Sequence, residues 1–223
     1  MRVALVTGGA GFIGTNVADR LLGGGTRVRI LDDLSRPGVA ENLTWLQARY
    51  DGALEVELGD VRDPVIVRRA VRGVDRVFHF AAQVAVTTSL VDPLDDFRVN
   101  TEGTLRLLEA LRGSRTPFLF TSTNKVYGSL PDVELTRVAD RWVPADLDGI
   151  SEARPLCFCT PYGCSKGAAD QYVLDYARSF GLPAVVFRMS CIYGPHQHGN
   201  EDQGWVAHFL LSALRGDPVV IYG

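Results

Sequence analysis

The chain of 223 residues carries 23 Lys and Arg against 26 Asp and Glu, and 46% of its residues are hydrophobic, as in an ordinary globular protein. Its formal net charge of −3 and its scattered arginines argue against nucleic acid or an anionic membrane as a partner. No apolar run approaches the roughly 18 residues of a membrane span, and the four cysteines fit a reducing compartment. We therefore expect a cytoplasmic protein without a signal peptide or membrane anchor.

Short apolar runs, rich in β-branched and aromatic residues, alternate along the chain with longer segments of helical spacing. The runs predict strands at 3–6, 28–31, 54–58, 77–80, 117–120 and 184–187. The segments between them predict helices at 12–22, 64–71, 100–111 and 162–180. This alternation is typical of a doubly wound α/β fold with a parallel sheet. A further helix is predicted at 205–215, and a last strand at 219–223 has no evident partner.

The loop between the first strand and the first helix is rich in glycine, with Gly8, Gly11 and Gly14 spaced three residues apart. This spacing permits a tight turn, the close approach of a pyrophosphate to the helix N-terminus, and close contact between helix and strand. Because the motif follows a strand and begins a helix, it predicts a dinucleotide site that includes Phe12 and Ile13.

Carboxylates after the second strand favour NAD over NADP. Asp32 follows Gly14 by 32 − 14 = 18 residues, where a carboxylate can accept hydrogen bonds from the adenosine ribose. A 2′-phosphate there would meet the like charges of Asp32 and Asp33. An alternative stays open at Arg36, next to Ser35, since an arginine in this loop either pairs with a 2′-phosphate or remains a loop charge.

Two later strands supply further cofactor candidates at their carboxyl ends, the edge at which open α/β sheets bind ligands. Asp60 and Val61 follow the third strand and are predicted to contact the adenine. The segment after the fourth strand would pass close to the pyrophosphate; it consists of Phe80, Ala81, Ala82 and Gln83. We assign residues 1–188 to an NAD-binding Rossmann domain and residues 189–223 to the start of an incomplete substrate-binding region.

Tyr162 and Lys166 are four residues apart in a predicted helix, so their side chains share one face. A phenol with a pKa near 10 becomes a base at neutral pH only if the phenolate is stabilised by about 4 kcal/mol, which an ammonium and a nicotinamide cation can supply. Thr123, at the end of the fifth strand, offers a hydroxyl to hold the substrate oxygen. A lone Tyr-x-x-x-Lys pair is usually structural, but its combination with the glycine loop and Thr123 favours catalysis.

Other patterns favour structural roles. His196, His198 and His208 lack the neighbouring carboxylates or cysteines that would complete a metal shell, so we expect no metal. The charges in segments 92–112 and 170–178 are expected to lie mostly on solvated helix faces.

The motifs together resemble the extended short-chain dehydrogenase/reductase family over the whole chain. They are Gly8-x-x-Gly11-x-x-Gly14, Asp32, Asp60, Ala81-Ala82, Asn100, Ser122-Thr123, Val126-Tyr127-Gly128, Tyr162-x-x-x-Lys166 and the segment from Arg188 to Pro195. The resemblance implies a tightly held NAD and a nucleotide-sugar substrate. It also implies a homodimer formed through helices 92–112 and 162–180, or a higher homo-oligomer.

The same resemblance assigns roles to individual residues. Tyr162 would be the acid and base, Lys166 would set its pKa and anchor the cofactor ribose, and Thr123 would be the hydroxyl partner. Further cofactor contacts are implied for Asn100, Ser122 and Met189. Substrate contacts are implied for Val86, Thr87, Thr123, Asn124, Cys191 and Gln203.

The implied activity is sugar-nucleotide epimerisation at C2 of a CDP-linked deoxyhexose, by oxidation and re-reduction with retained NAD. Asn124 and Lys125 stand where the related 4,6-dehydratases have an Asp-Glu pair that drives elimination of water, so elimination is not expected. Two alternatives stay open: 4-epimerisation of a UDP-hexose, and a non-catalytic NAD-binding module. Because family members are longer, we expect the segment that closes over the nucleotide to begin just after Gly223.

Overall fold

A computed structural model describes residues 2–146 and 148–221 of the chain. Its strands are β1 (Val3–Thr7), β2 (Arg27–Asp32), β3 (Leu54–Leu58), β4 (Arg76–His79), β5 (Phe118–Thr123), β6 (Leu135–Val138), β7 (Arg141–Pro144) and β8 (Ala184–Met189). Six of them form a parallel sheet in the order β3-β2-β1-β4-β5-β8, while β6 and β7 form a separate antiparallel hairpin. The strand order reverses between β1 and β4, which confirms the doubly wound Rossmann sheet.

Eight α-helices accompany the sheet within the described residues. They are α1 (Phe12–Gly23), α2 (Val39–Arg49), α3 (Pro64–Ala70), α4 (Val86–Val91), α5 (Pro93–Phe97), α6 (Gly103–Leu111), α7 (Thr160–Phe180) and α8 (Trp205–Arg215). A π-helical turn (Arg98–Glu102) joins α5 to α6, and a 3₁₀ turn (Asn124–Tyr127) follows β5. The predicted helices at 12–22, 64–71, 162–180 and 205–215 are confirmed to within two residues.

Local sequence explains where several helices begin and end. The Asp63 carboxylate accepts a hydrogen bond from the Val65 nitrogen at 2.7 Å and caps α3, whose first residue is a proline. Helix α7 ends at Gly181, which adopts a left-handed φ of 68°. The sequence analysis missed α2, although Val39, Leu43 and Leu46 have the spacing of a buried helical face.

Two hydrophobic clusters cover the two faces of the sheet. Leu5 and Val6 are adjacent on β1 but belong to different clusters, because successive strand side chains point to opposite faces. Val6 lies with residues of α1 and α2, and Leu5 with residues of α3, α6 and α7. Burial of a leucine or valine side chain stabilises the fold by about 1.5–3 kcal/mol. The glycine loop therefore follows a strand, β1, that is packed on both of its faces.

The strand predicted at 219–223 is wrong as far as the structure describes it: residues 219–221 form no strand, and residues 222–223 lie outside the described residues. A strand requires a hydrogen-bonded neighbour, and residues 219–221 pair with no strand in the described part of the chain. Within residues 2–146 and 148–221, no helix is both long enough and apolar enough to cross a membrane.

Candidate cofactor and active site

A cavity of about 540 Å³ opens at the carboxyl ends of β1 to β4, next to the point where the strand order reverses. The predicted cofactor residues that line it are Gly8, Gly11, Phe12, Ile13, Gly14, Asp32, Asp33, Ser35, Arg36, Asp60, Val61, Phe80, Ala81, Ala82 and Gln83. Its size is within the range of small-molecule sites. The fold therefore brings together residues that are up to 83 − 8 = 75 positions apart.

The glycines of the first loop permit backbone contacts that no other residue would allow. A Cβ on Gly8, whose φ is +64°, would lie 2.6 Å from the nitrogen of Ala81, and one on Gly14 would lie 2.6 Å from the Cα of Gly9. Gly11 is the N-cap residue of α1 and has no side chain that could accept a hydrogen bond. The first amide N–H groups of the helix are therefore not occupied by a capping side chain. A pyrophosphate fits this cradle, because free N–H groups and the helix dipole both favour an anion.

Asp32 ends β2 with its carboxylate at the cavity. Its two oxygens accept hydrogen bonds from the backbone nitrogens of Ala10 and Leu34, at 3.0 and 2.9 Å. Burial raises the pKa of Asp32, and these backbone N–H groups partly oppose that rise. A carboxylate oxygen has more than one lone pair, so the group retains capacity for a ribose hydroxyl.

Arg62, which the sequence analysis did not single out, binds the Asp60 side chain. The Arg62 Nε donates to Asp60 at 2.8 Å, and its guanidinium also pairs with Asp95. Burial alone would raise the pKa of Asp60, but the hydrogen bonds and charge of Arg62 leave it below its ordinary value. The carboxylate that was predicted to contact adenine is thus held as an anion by a neighbour two residues away.

Residues 195–203, here called the strap, pass over the Asp32 end of the cavity and are anchored mainly by Asn42 of α2. The Asn42 amide donates to the carbonyls of Ala10 and His196 at 3.0 and 3.1 Å, and its oxygen lies 3.2 Å from His198 Nε2. Asn42 is only 3% exposed and connects the glycine loop to the strap. No signal in the sequence pointed to the partner of this segment on α2.

Gln203 belongs to this strap. Its Oε1 accepts a hydrogen bond from the Arg36 guanidinium at 2.9 Å, and both residues line the nucleotide cavity. The structure therefore places Gln203, predicted as a substrate residue, at the Asp32 end. Arg36, for which a 2′-phosphate was left open as a partner, is engaged by this neutral amide.

The catalytic candidates lie at the end of β5, where α7 crosses it. Thr123 is the last residue of β5 and is 7% exposed, and Lys166 on α7 is 3% exposed. The Lys166 Nζ lies 4.2 Å from the centroid of the Phe120 ring, a cation–π distance. The Tyr162 hydroxyl lies beside the hydroxyl of Thr123. Helix and strand thus gather the three predicted groups into one cluster.

Burial dominates the electrostatics of this cluster. It raises the pKa of Tyr162, with the Thr123 hydroxyl opposing the rise, and it lowers the pKa of Lys166 to about 7 against the charges of Asp170 and Asp96. The expected lowering of the Tyr162 pKa is therefore not a property of the protein alone. It requires a further positive charge in the site, such as a nicotinamide cation.

Two acidic residues of the cluster are exceptions to the expectation that the charges of these helices lie mostly on solvated faces. Asp96 on α5 and Asp170 on α7 are both completely buried. Asp170 accepts two hydrogen bonds from the Arg188 guanidinium, at 2.9 and 3.0 Å, and Arg188 also donates to the Tyr127 hydroxyl. The partner comes from β8, too far along the chain for helical spacing to indicate it.

Asn100 lies in the π-helical turn and is 1% exposed. Its Nδ2 donates to Ser165 at 3.0 Å, while its Oδ1, like the Ser122 hydroxyl, has no hydrogen-bond partner within the described residues. Buried polar atoms are normally paired, so these two indicate places for water or ligand atoms. Both residues were predicted to contact the cofactor.

The remaining predicted residues surround the catalytic cluster and do not line the nucleotide cavity. Met189 pairs with Thr123 in the register of β5 and β8. Val86 and Thr87 begin α4, which Ser89 joins to α7 by accepting a hydrogen bond from the Tyr162 nitrogen at 3.2 Å. Asn124 and Cys191 are exposed. Sequence reasoning did not identify Ser89.

The model of the NAD dependent epimerase/dehydratase family matches residues 4–223. CDP-paratose 2-epimerase of Salmonella typhi is 46% identical over 215 residues, which cover 94% of this chain and 63% of that protein. A dTDP-glucose 4,6-dehydratase of Streptomyces antibioticus is 36% identical, covering 98% of this chain and 61% of its own length. The structure of UDP-glucose 4-epimerase of Thermus thermophilus with NAD is 35% identical, covers 99% of this chain and 65% of its own, and has a TM-score of 0.80.

The chain thus spans less than two thirds of the length of these relatives. The match nevertheless runs through the glycine loop, Asp32, Thr123, and the pair Tyr162 and Lys166. The chain therefore belongs to the NAD-dependent epimerase/dehydratase family.

Proposed function

We propose that this chain is the NAD-binding and catalytic part of a sugar-nucleotide epimerase that acts at C2 of CDP-paratose. The observation that carries the proposal is the 46% identity to CDP-paratose 2-epimerase over 94% of the chain, against 36% to the dehydratase. Asn124 and Lys125, which follow Thr123, support it, because neither side chain offers the carboxylic acid and carboxylate of the dehydratase pair.

The residues of the nucleotide cavity fit NAD. The close backbone contacts at Gly8 and Gly14 leave the start of α1 open to a pyrophosphate, and Asp32 is available to the adenosine ribose. Asp32 and Asp33 disfavour a 2′-phosphate, so NAD is preferred over NADP. When bound, NAD supplies reversible hydride acceptance at a sugar carbon.

The catalytic cluster supplies the proton chemistry. Tyr162 takes the proton of the C2 hydroxyl while the Thr123 hydroxyl holds the same oxygen, and Lys166 stabilises the phenolate. After the keto sugar has reoriented in the site, Tyr162 returns the proton to that oxygen. The proton and the hydride are both returned, so the net reaction is an isomerisation.

A sugar-nucleotide 4-epimerase is the second candidate, because a 35% identical 4-epimerase superimposes with a TM-score of 0.80. The same side chains serve both reactions, which differ only in how the sugar is oriented in the site.

We would quantify NAD, NADH and NADP released from the denatured protein, and then follow the conversion of CDP-paratose and of UDP-glucose by NMR. We expect near-stoichiometric NAD and conversion of CDP-paratose. Conversion of UDP-glucose but not of CDP-paratose would contradict the proposed C2 epimerisation. Bound NAD without turnover of either sugar nucleotide would favour a non-catalytic module.

The partners and organisation of the chain are part of the proposal. Residues 1–188 form the NAD-binding domain and residues 189–223 begin the substrate-binding region. A homodimer, or a higher homo-oligomer, forms through helices 92–112 and 162–180, which expose Leu94, Phe97 and Phe180. Sedimentation measures this directly. Four free cysteines support a cytoplasmic location.

A further inference from the structure

Three polar side chains converge on the buried carboxylate of Asp96. Gln83 donates to it from the segment after β4 at 2.9 Å, Asn100 donates from the π-helical turn at 3.2 Å, and the Ser165 hydroxyl donates from α7. Burial raises the pKa of Asp96, and the hydrogen bonds from Ser165 and Gln83 and the charge of Lys166 oppose that rise. A group that only accepts hydrogen bonds from three donors is suited to remain an anion at neutral pH.

This network connects the nucleotide cavity to the catalytic helix. Gln83 lines the cavity, and Ser165 directly precedes Lys166. Ser165 is held a second time, because the Thr101 hydroxyl donates to its carbonyl oxygen at 2.9 Å. The first turns of α7, which present Tyr162 and Lys166, are therefore fixed by contacts that meet at Asp96.

The charge of Asp96 also acts on both catalytic side chains. Its negative charge opposes the effect of burial on the pKa of Lys166, and it adds to the effect of burial on the pKa of Tyr162. The other charged or titratable groups near the Lys166 ammonium are Asp170 on α7 and His79 on β4. Asp170 is shared with Arg188, whereas Asp96 has no cation among its hydrogen-bond partners in the described part of the chain.

We propose that Asp96 is a positioning residue for Tyr162 and Lys166: it holds their helix through Ser165 and provides a buried negative charge near the Lys166 ammonium. The role of the pair in catalysis rests on the proposed function. The effect of Asp96 on Lys166 does not, since it is measured without substrate.

The substitution Asp96→Asn tests the charge with little change in shape. The new amide oxygen accepts from Gln83 and Asn100, and the amide nitrogen donates to the Ser165 oxygen, so the network is retained and the charge is lost. The matched control is Asp175→Asn, which removes an exposed carboxylate from the same helix as Lys166.

The chain contains only two lysines, Lys125 and Lys166, so lysine labelled with ¹³C at Cε gives two NMR signals. The Lys125→Arg variant assigns them. We expect the Lys166 titration midpoint, near 7 in the parent protein, to fall by about one pH unit in Asp96→Asn and to stay in place in Asp175→Asn. An unchanged midpoint in Asp96→Asn would overturn the electrostatic role.

Activity provides the second measurement. Removing the Asp96 charge lowers the pKa of both Tyr162 and Lys166, so both limbs of the pH profile of kcat move to lower pH, which a purely structural defect would not cause. Ser165→Ala removes the positioning contact and keeps the charge; we expect kcat to fall about tenfold with the Lys166 midpoint in place. Full kcat in Ser165→Ala would refute the positioning role even if Asp96→Asn did not fold. A shifted midpoint in a chain that converts no sugar nucleotide would contradict only the proposed function.

Discussion

The two ends of the site use different physical means. At the Asp32 end, the glycine loop, the Asp32 carboxylate and the strap surround a cavity, and several of their hydrogen bonds join a side chain to main-chain atoms. At the Tyr162 end, the groups are side chains, and Lys166, Asp96, Asp170 and His79 are at most 3% exposed. The Asp32 end thus depends on close backbone contacts as well as on partly exposed charges, whereas the ionisable groups of the Tyr162 end are buried.

This difference separates binding from chemistry. Backbone amides keep their hydrogen-bonding capacity at every pH, so their contribution to cofactor binding does not depend on protonation. Buried ionisable groups are destabilised as ions, and their pKa values move into the range in which they exchange protons. Substitutions at the two ends should therefore change different measured quantities.

The largest effect is expected for Tyr162→Phe. The loss of the only predicted acid and base at the reacting oxygen should lower kcat by about 10³-fold, within the usual range for general acid–base catalysis, while bound NAD stays near the parental level. Kinetics and cofactor content of the same preparation measure both. Tyr172→Phe, at an exposed tyrosine of the same helix, is the control. Loss of NAD together with kcat would mean that the two ends are not separable in this way.

Gly14→Ala should have the opposite signature. A Cβ at this position overlaps the Gly8 carbonyl oxygen and lies 2.6 Å from the Cα of Gly9, so the loop must shift. We expect the protein to be purified with less than a tenth of the parental NAD. Gly149→Ala, where a Cβ meets nothing within 4 Å, should retain it. Parental NAD content in Gly14→Ala would show that close backbone approach does not determine binding here.

The pH dependence of the free energy of unfolding tests whether His79, at the Tyr162 end, is buried in its neutral form. Burial lowers its pKa to about 3, while its ring contacts the Thr7 and Thr104 hydroxyls. Above about pH 6.5 both the folded and the unfolded chain carry a neutral imidazole. As pH falls from 6.5 towards 3 only the unfolded chain takes up the proton, so the free energy of unfolding decreases by up to about 1.4 kcal/mol per pH unit.

His79→Gln removes this dependence and keeps groups that can bond both threonines. Denaturant unfolding at pH 7 and pH 5 should show the parent losing about 2 kcal/mol more than the variant. The same replacement at His208, on α8, serves as the control. Equal losses in the parent and in His79→Gln would mean that His79 is not held neutral.

Asn42→Ala should give the smallest effect of the four. It removes the hydrogen bonds between the glycine loop and the strap, each worth about 1 kcal/mol, and should speed NAD release about tenfold with kcat unchanged. With protein loaded with NADH, release into excess buffer can be followed by the fluorescence of the reduced cofactor. Thr44→Ala, on an exposed part of α2, controls for the helix. An unchanged release rate would show that the strap does not retain the cofactor.

The sequence predicted the six sheet strands and most long helices, because alternating apolar runs and glycine or proline boundaries are local signals. It missed α2, α4 and the hairpin of β6 and β7, and its expectation of mostly solvated charges in segments 92–112 and 170–178 did not single out Asp96 and Asp170 as buried. Burial of a helix position depends on which element lies opposite, and the partners of these residues are on β8 and α7.

The sequence by itself determined the chemistry that is available: a glycine spacing that only close backbone contact explains, a carboxylate after β2, and a tyrosine and lysine one helical turn apart. Only the tertiary structure decided the state of those groups. Desolvation depends on the surfaces that surround a side chain, so the low pKa of Lys166, the neutral His79, the anionic cluster at Asp96 and the strap held by Asn42 arise from contacts between distant segments.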